Sequence, residues 1–193
     1  MDKDLTLIKF MLMPFGIGND FNPITSSSEN YKRWVTNFGP NTCKSCARLN
    51  GTVYEKGNLP QTSPPLHPNC NCAIIKMTAI KAGTASADGL SGADLSLQNG
   101  WGLPEKYITK SEAENYGYKK WEGNLADVLP GLFIGGAVFE NKKNKLPSNE
   151  GRVWYEADIN YTRGYRNGHR IIYSNDGLIF VTYDHYETFY EIN

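Results

Sequence analysis

No apolar run in this 193-residue chain approaches the ~20 residues that a bilayer-spanning helix needs. The longest, Leu5 to Gly18, is interrupted by Lys9 and Pro14. It follows an Asp-containing start and lacks a small-residue cleavage site, so no signal peptide is expected. A charge excess of either sign is also missing: 20 Lys+Arg face 20 Asp+Glu. That balance excludes a disordered acidic or basic tail, and a mean hydropathy of -0.49 excludes a membrane protein. The chain carries no internal repeat.

What is present is unevenly placed. Only 7 of the 24 aromatic residues fall in residues 1–100, whereas all four cysteines, Cys43, Cys46, Cys70 and Cys72, lie there. Two modules are expected, one at 1–80 held by cysteine chemistry and one at 102–193 built on an aromatic core. Between Lys81 and Trp101 there is no further Lys, Arg or aromatic residue, and Ala, Gly and Ser dominate. Such a stretch buries little apolar area per residue ordered, so 81–101 reads as a flexible linker. The alternative is a short helix at Ala93 to Leu97.

The cysteines read Cys43-x2-Cys46, then, after twenty residues, His67-Pro-Asn-Cys70-Asn-Cys72. Zn²⁺ takes four thiolate or imidazole ligands, usually as two close pairs joined by a longer loop. Cys43 and Cys46 form the first pair. Two of His67, Cys70 and Cys72 complete the set, which we write as Cys43, Cys46, Cys70 and Cys72 with His67 as alternative. A pair of disulfides, or free thiols, is the competing reading. A module this small and poor in aromatics needs such a staple.

The run from Cys43 to Tyr54, followed by Pro64-Pro-Leu-His67-Pro68-Asn-Cys70-Asn-Cys72, resembles the end of phage head-morphogenesis (minor capsid) domains. The resemblance spans about forty residues. Domains of that type also precede toxin domains in bacterial polymorphic toxins, which implies a carrier role for residues 1–80.

In the second module, Thr109-Lys-Ser-Glu112 has the capping-box pattern and starts a short helix reaching about Tyr118. It puts Lys110 in the first turn, already the positive end of the helix dipole. That placement makes sense if an anion sits in front of it, although a solvated surface Lys is the plainer reading. Asn124 caps a second helix, Leu125 to Leu129, stopped by Pro130-Gly131.

Beyond Gly131 the pattern is strands and turns. Val153, Tyr155, Ala157 and Ile159 alternate with Trp154, Glu156, Asp158 and Asn160, so Glu156 and Asp158 share one face of a strand. Further strands are expected at 170–174 and 178–183, around the Asn175-Asp-Gly177 turn, and at about 188–192. Helices first and a meander afterwards imply an α+β domain, short N-terminal helices on an antiparallel sheet. Glu156, Asp158, Arg166, Arg170 and His185 are costly on a sheet. Each has a structural explanation taken singly; together with Lys110 they supply a carboxylate, an imidazole and three cations, the groups metal-free phosphoryl transfer requires.

Residues 103–193 resemble the barnase family of small microbial guanyl-type ribonucleases, without any gap. The matching runs include Tyr107-Ile-Thr-Lys110-Ser-Glu-Ala113, Gly123-Asn-Leu-Ala-Asp-Val128, Ile134-Gly-Gly136, Glu156-Ala-Asp-Ile-Asn-Tyr-Thr162 and Asp184-His185-Tyr186. The resemblance implies Glu156 as general base toward the ribose 2′-OH and His185 as general acid toward the departing 5′-oxygen. It implies Lys110, Arg166 and Arg170 as stabilisers of the phosphorane, and Tyr186 with the loop residues Asn141, Lys142 and Lys143 as substrate contacts. Asp158 fits as the anchor of Arg166 and Arg170, and Arg152 with Asp176 as an ion pair. RNA is then the substrate, and DNA, lacking the 2′-OH, binds uncut. No cofactor is needed for catalysis, and the nuclease domain is expected to be monomeric.

Three positions depart from the family. Ala137 replaces an acidic residue, Lys143 replaces the glutamate that pairs with guanine, and Gly177 replaces a core tryptophan. The second leaves base preference open, because a cation cannot accept guanine N–H bonds. The third calls for lower stability or packing from elsewhere. The reading as a whole is an endoribonuclease toxin with a barstar-like acidic immunity protein as partner. It leaves its producer by a specialised or phage-like route and acts in the target-cell cytoplasm. The competing readings are a phage or capsid-associated structural protein with a vestigial nuclease, and a zinc-dependent nuclease using the Cys site.

Overall fold

The computed structural model describes residues 22–40 and 42–193. The run Leu5 to Gly18 lies outside these. Among the described residues nine strands form a single mixed sheet: β1 (Thr25–Thr36), β2 (Val53–Glu55), β3 (Cys72–Ile80), β4 (Tyr107–Ile108), β5 (Phe133–Phe139), β6 (Trp154–Asp158), β7 (Arg170–Ser174), β8 (Ile179–Thr182) and β9 (Tyr190–Ile192). Their spatial order is β2-β1-β3-β9-β8-β7-β6-β5-β4. Helices are short: α1 (Lys44–Leu49), α2 (Ala93–Gln98), α3 (Lys110–Asn115) and α4 (Leu125–Val128). The fold is α+β, with antiparallel pairing except at β3–β9 and β4–β5. Among the described residues no helix is long and apolar enough to cross a membrane.

The meander β5 to β9 follows the alternation read from the sequence. In β7, Ile171 faces a core of Ile80, Ala157, Ile159, Val181 and Ile192, whereas its neighbour Ile172 faces Trp154, Phe180 and Phe189 on the other side. Asn175-Asp-Gly177 closes the β7–β8 turn with Gly177 at φ 92, a conformation that suits glycine. Thr109 makes both halves of the capping box with Glu112 at the start of α3. Asn124 stands at the N-cap of α4 without a side-chain cap bond. Its amide instead accepts from the backbone N–H of Lys119 at 2.8 Å, pinning the preceding turn.

The picture of two modules joined by a loose tether is corrected in two places. First, β3 lies parallel to β9 in register Ala79↔Glu191 and Ile80↔Ile192, so the cysteine-bearing strands extend the nuclease sheet. Tyr31, Val53 and Met77 pack with Leu146, Trp154, Ile172, Phe180 and Phe189 in one buried cluster, with the Tyr31 and Phe180 rings 5.1 Å apart. The core loss expected at Gly177 is not found: the residue lies exposed in the β7–β8 turn, where a Cβ would meet nothing within 4 Å.

Second, residues 81–101 are folded onto the sheet. Ala85, Ser86, Ala93 and Asp94 are buried, and α2 lies where a flexible stretch was expected. Small side chains allow the close approach, and Asp94 provides the polar partner: its Oδ2 accepts from the N–H of Gly83 at 2.7 Å and of Ala85 at 2.9 Å. Two backbone donors that burial would otherwise strand are thereby satisfied. Replacing Asp94 with alanine is expected to lower stability by about 1–3 kcal/mol, the cost of leaving such groups unpaired. Urea denaturation checks this; an unchanged midpoint would restore the linker reading.

Candidate active site

One face of the meander changes character along its length. Trp154, Ile172 and Phe180 form its apolar end. Two residues further along β6 come Glu156 and then Asp158, with Arg170 opposite Asp158 on β7. Asp158 is fully buried and collects both arginines. Arg166 donates to it through Nε at 2.5 Å and Nη2 at 2.7 Å, and Arg170 Nε lies 3.0 Å from Oδ1. Arg170 also donates through Nη1 to the carbonyls of Asn167 and His169, each at 2.7 Å. Burial opposes the charge on Arg166, but the Asp158 carboxylate holds its guanidinium above the ordinary range. Asp158 thus pairs with both Arg166 and Arg170. The Arg152–Asp176 pair is present as well, and Arg152 additionally reaches Glu55 of β2 at 2.9 Å.

His185 sits in the loop between β8 and β9, in an unusual backbone state. His185 and Tyr186 have φ of 58° and 72°, both in the left-handed region. Consecutive non-glycine residues there cost free energy and persist only where surroundings impose them. Asp184 does so: its Oδ1 accepts from the Thr182 hydroxyl (2.9 Å) and from the amides of Glu187 (3.2 Å) and Thr188 (2.8 Å). Gly168 lends a further hold, its carbonyl accepting from the His185 amide at 3.3 Å. A Cβ at 168 would stand 3.2 Å from that of His185. The Tyr186 hydroxyl donates to Glu156 Oε2 at 2.6 Å. Burial first, and then the Glu156 charge, push its phenol well above the usual range.

These groups surround two clefts. One, of about 770 Å³, is lined by Glu156, Arg166, Arg170, His185 and Tyr186, with Tyr118, Lys120, Trp121, Tyr165, Asn167 and Gly168 around them. The other, of about 490 Å³, shares Glu156, His185 and Tyr186 and is walled by residues 138–143, Lys145, Glu187 and Phe189. Phe139 and Tyr186 stack at 5.2 Å along this second cleft.

Asn141, Lys142 and Lys143 line the smaller cleft, their side chains engaged by neighbours, and one expected residue lies off both clefts. Lys110 lines neither cleft; its ammonium pairs with Glu114 at 3.3 Å on the exposed side of α3. Asn141 spends its side chain on its own loop, donating to the Leu146 carbonyl and accepting from the amides of Lys145 and Leu146. Lys142 pairs with Glu140, and Lys143 with Glu187 at 2.9 Å. The sequence reading passed over Trp121 and Tyr165, which stand at the rim of the larger cleft more than two-thirds exposed. Exposed aromatics beside a cationic cluster were the available signal. It also passed over Asp184 and Gly168, whose roles are backbone geometry and leave no trace in residue type.

The cysteine cluster is a separate assembly. The cysteines are not disulfide-bonded. Cys46 Sγ lies 3.3 Å from His67 Nε2 and 3.7 Å from Cys70 Sγ, near the ligand–ligand edge of about 3.5–3.8 Å that tetrahedral zinc with these bond lengths requires. Cys43, Cys46 and His67 form one converging set and Cys46, Cys70 and Cys72 another. His67 Nδ1 lies 2.9 Å from the Pro68 carbonyl, which orients Nε2 toward the sulfurs, a usual arrangement around bound metals. The Cys70 thiol, held by the Leu66 backbone, is lowered to about 7. Cys72 Sγ meets the Thr36 hydroxyl at 3.5 Å.

A carboxylate held by a phenol, an imidazole on a strained turn and two anchored guanidiniums, all bordering one cleft, are suited to cleaving a phosphodiester. Residues 93–193 match a family model described as ribonuclease. The chain belongs to the ribonuclease family and is a microbial ribonuclease, an endoribonuclease with RNA as its substrate. A ribonuclease of Heyndrickxia coagulans is 56% identical over 90 residues, which cover 47% of this chain and 83% of that one. Ribonucleases of Bacillus intermedius and Bacillus pumilus are also 56% identical over 90 residues, covering 56% of each. Residues 22–92 lie outside the family match.

Proposed function

We propose that the enzyme cleaves single-stranded RNA by metal-independent transphosphorylation. Glu156 takes the proton from the ribose 2′-OH, whose oxygen forms a bond to phosphorus. The bond to the 5′-oxygen breaks as His185 gives that oxygen a proton, and the product is a 2′,3′-cyclic phosphate. Arg166 and Arg170 stabilise the added negative charge from fixed positions, so no reorganisation is needed as it develops. Lys110 keeps the role implied by resemblance only on leaving Glu114. Both partners are about half exposed and such a surface pair is weak, so the exchange costs little. The single observation that carries this reading is the shared cleft of Glu156, His185 and the two arginines on Asp158.

In the same reading the chain is a toxin, with residues 102–193 as its effector and a barstar-like acidic protein as its immunity partner. A cationic cleft favours such a partner, because carboxylates take the places of phosphates. The phage head-like segment serves as carrier, with a structural zinc held by Cys43, Cys46, Cys70 and Cys72, His67 being the alternative ligand. One preparation tests both metal statements. Elemental analysis is expected to give one zinc per chain, and chelation with EDTA to leave the cyclic-phosphate product forming at saturating RNA. Abolished cleavage would favour a zinc-dependent nuclease, and absence of metal would remove the zinc reading alone.

A further inference from the structure

The segment that follows α1 touches both walls of the smaller cleft. On one side, Lys145 is buried, and its ammonium donates to the backbone carbonyls of Arg48, at 3.2 Å, and Asn50. The Lys145 carbonyl in turn accepts from the Val53 amide at 2.7 Å. On the other side, Gly51 lies against the backbone of the His185 loop: a Cβ at 51 would stand 2.7 Å from the Glu187 carbonyl oxygen. Lys145 and Glu187 both line the cleft that also holds Glu156 and His185.

This grip is costly enough to call for an explanation. Burial lowers the Lys145 ammonium below its ordinary range, and among the described residues it has no carboxylate within salt-bridge distance, only carbonyls of another part of the chain. Its backbone is fixed as well. Asn141, at φ 46 and buried, accepts from the amides of Lys145 and Leu146 and closes the loop on the Leu146 carbonyl. Leu146 then joins Tyr31, Val53 and Met77 in the shared core. The loop 140–147 is thus tied at its end to residues 48–53. Those residues are themselves fixed by α1, in which Cys46 lies and whose Cys46 carbonyl accepts from Thr36 Oγ1 at 2.7 Å.

We propose that residues 48–53 are a positioning element of the ribonuclease, with Lys145 as the residue through which they set the width of the substrate cleft. The proposal rests on the reading of Glu156 and His185 as the reacting pair and adds to it a part of the chain that lies outside the ribonuclease family match. Lys145 does not touch the scissile phosphate; it acts by holding the loop that forms the cleft wall. A small displacement of groups that orient a substrate is enough to change its binding substantially.

The test uses the full chain with Lys145→Met and Lys145→Arg, short oligoribonucleotide substrates, and amide hydrogen exchange. Lys145→Met is expected to raise KM on the order of tenfold with kcat within about twofold. Amides at 141–146 should exchange faster while those of β7 and β8 stay protected, and Lys145→Arg, which keeps donors for the two carbonyls, should recover most of the KM. An unchanged KM overturns the proposal whether or not the loop loosens. So does a fall in kcat accompanied by loss of protection throughout the sheet, since that marks a role in stability alone. A separate His185→Ala assay keeps the two readings apart. If that variant stays active, the assignment of the reacting pair fails, whereas Lys145 is judged by its own KM and exchange.

Discussion

Replacing His185 with alanine lowers kcat/KM for RNA by about 10²–10⁴-fold, the range that a positioned general acid supplies. The alkoxide that departs from phosphorus is a poor leaving group without a proton, and His185 is the only imidazole on either cleft. Of the other two histidines, His67 lies in the cysteine cluster, and His169 is buried against Tyr183 with Nδ1 3.1 Å from the Asn160 amide. Neither can substitute. Glu156→Gln should fall in the same range, because the amide can still accept the Tyr186 hydroxyl but cannot take a proton. Under the toxin role proposed above, the same His185 variant should relieve the growth arrest that the active chain causes when expressed alone. Quantified product on a gel and colony counts check the two readouts. RNA cut by His185→Ala at the parental rate would dismiss the imidazole from the mechanism.

The second large effect falls on stability. Asp158→Asn is expected to cost about 3–5 kcal/mol, since removing one partner of a buried ionic group leaves the remaining charges uncompensated. Here the remainder is two guanidiniums, on Arg166 and Arg170, gathered around a carboxylate that has no exposed surface. Stabilities of whole domains amount to only about 5–15 kcal/mol, so the loss would be plain in urea denaturation. Activity should fall with it, as the cations no longer face the cleft from fixed positions. A cost below about 1 kcal/mol would mean that water serves the arginines as well as Asp158 does.

The parts of the site that were legible in the sequence were those written in a strand's period of two. Alternation from 153 to 160 put Glu156 and Asp158 on one face, and the Asn-Asp-Gly turn announced the β7–β8 hairpin; the pairing Asp158↔Arg170 spans the separate loop 159–169, for which the sequence offers no turn signal. The capping box at Thr109 was equally plain. What could not be read was long in range. The twelve-residue strand β1, Thr25–Thr36, begins Thr-Ser-Ser-Ser-Glu-Asn and breaks register between Ser27 and Lys32, so no clean alternation announces it. The parallel pairing of β3 with β9 joins residues more than a hundred positions apart. The stretch 81–101 was misread because composition reports how little a segment can bury by itself. It says nothing of a sheet against which small residues can lie, nor of an Asp94 that pairs the amides.

The β3–β9 seam bears on whether the nuclease strands can stand apart from the strands that precede them. A cut between Ile80 and Ala93 would release a nuclease whose last strand presents bare hydrogen-bonding groups and whose Phe180 and Phe189 have lost the cover of Tyr31 and Met77. An uncovered border of that kind invites pairing with other chains. The nuclease strands and the strands that precede them are therefore expected to fold and unfold as one cooperative body.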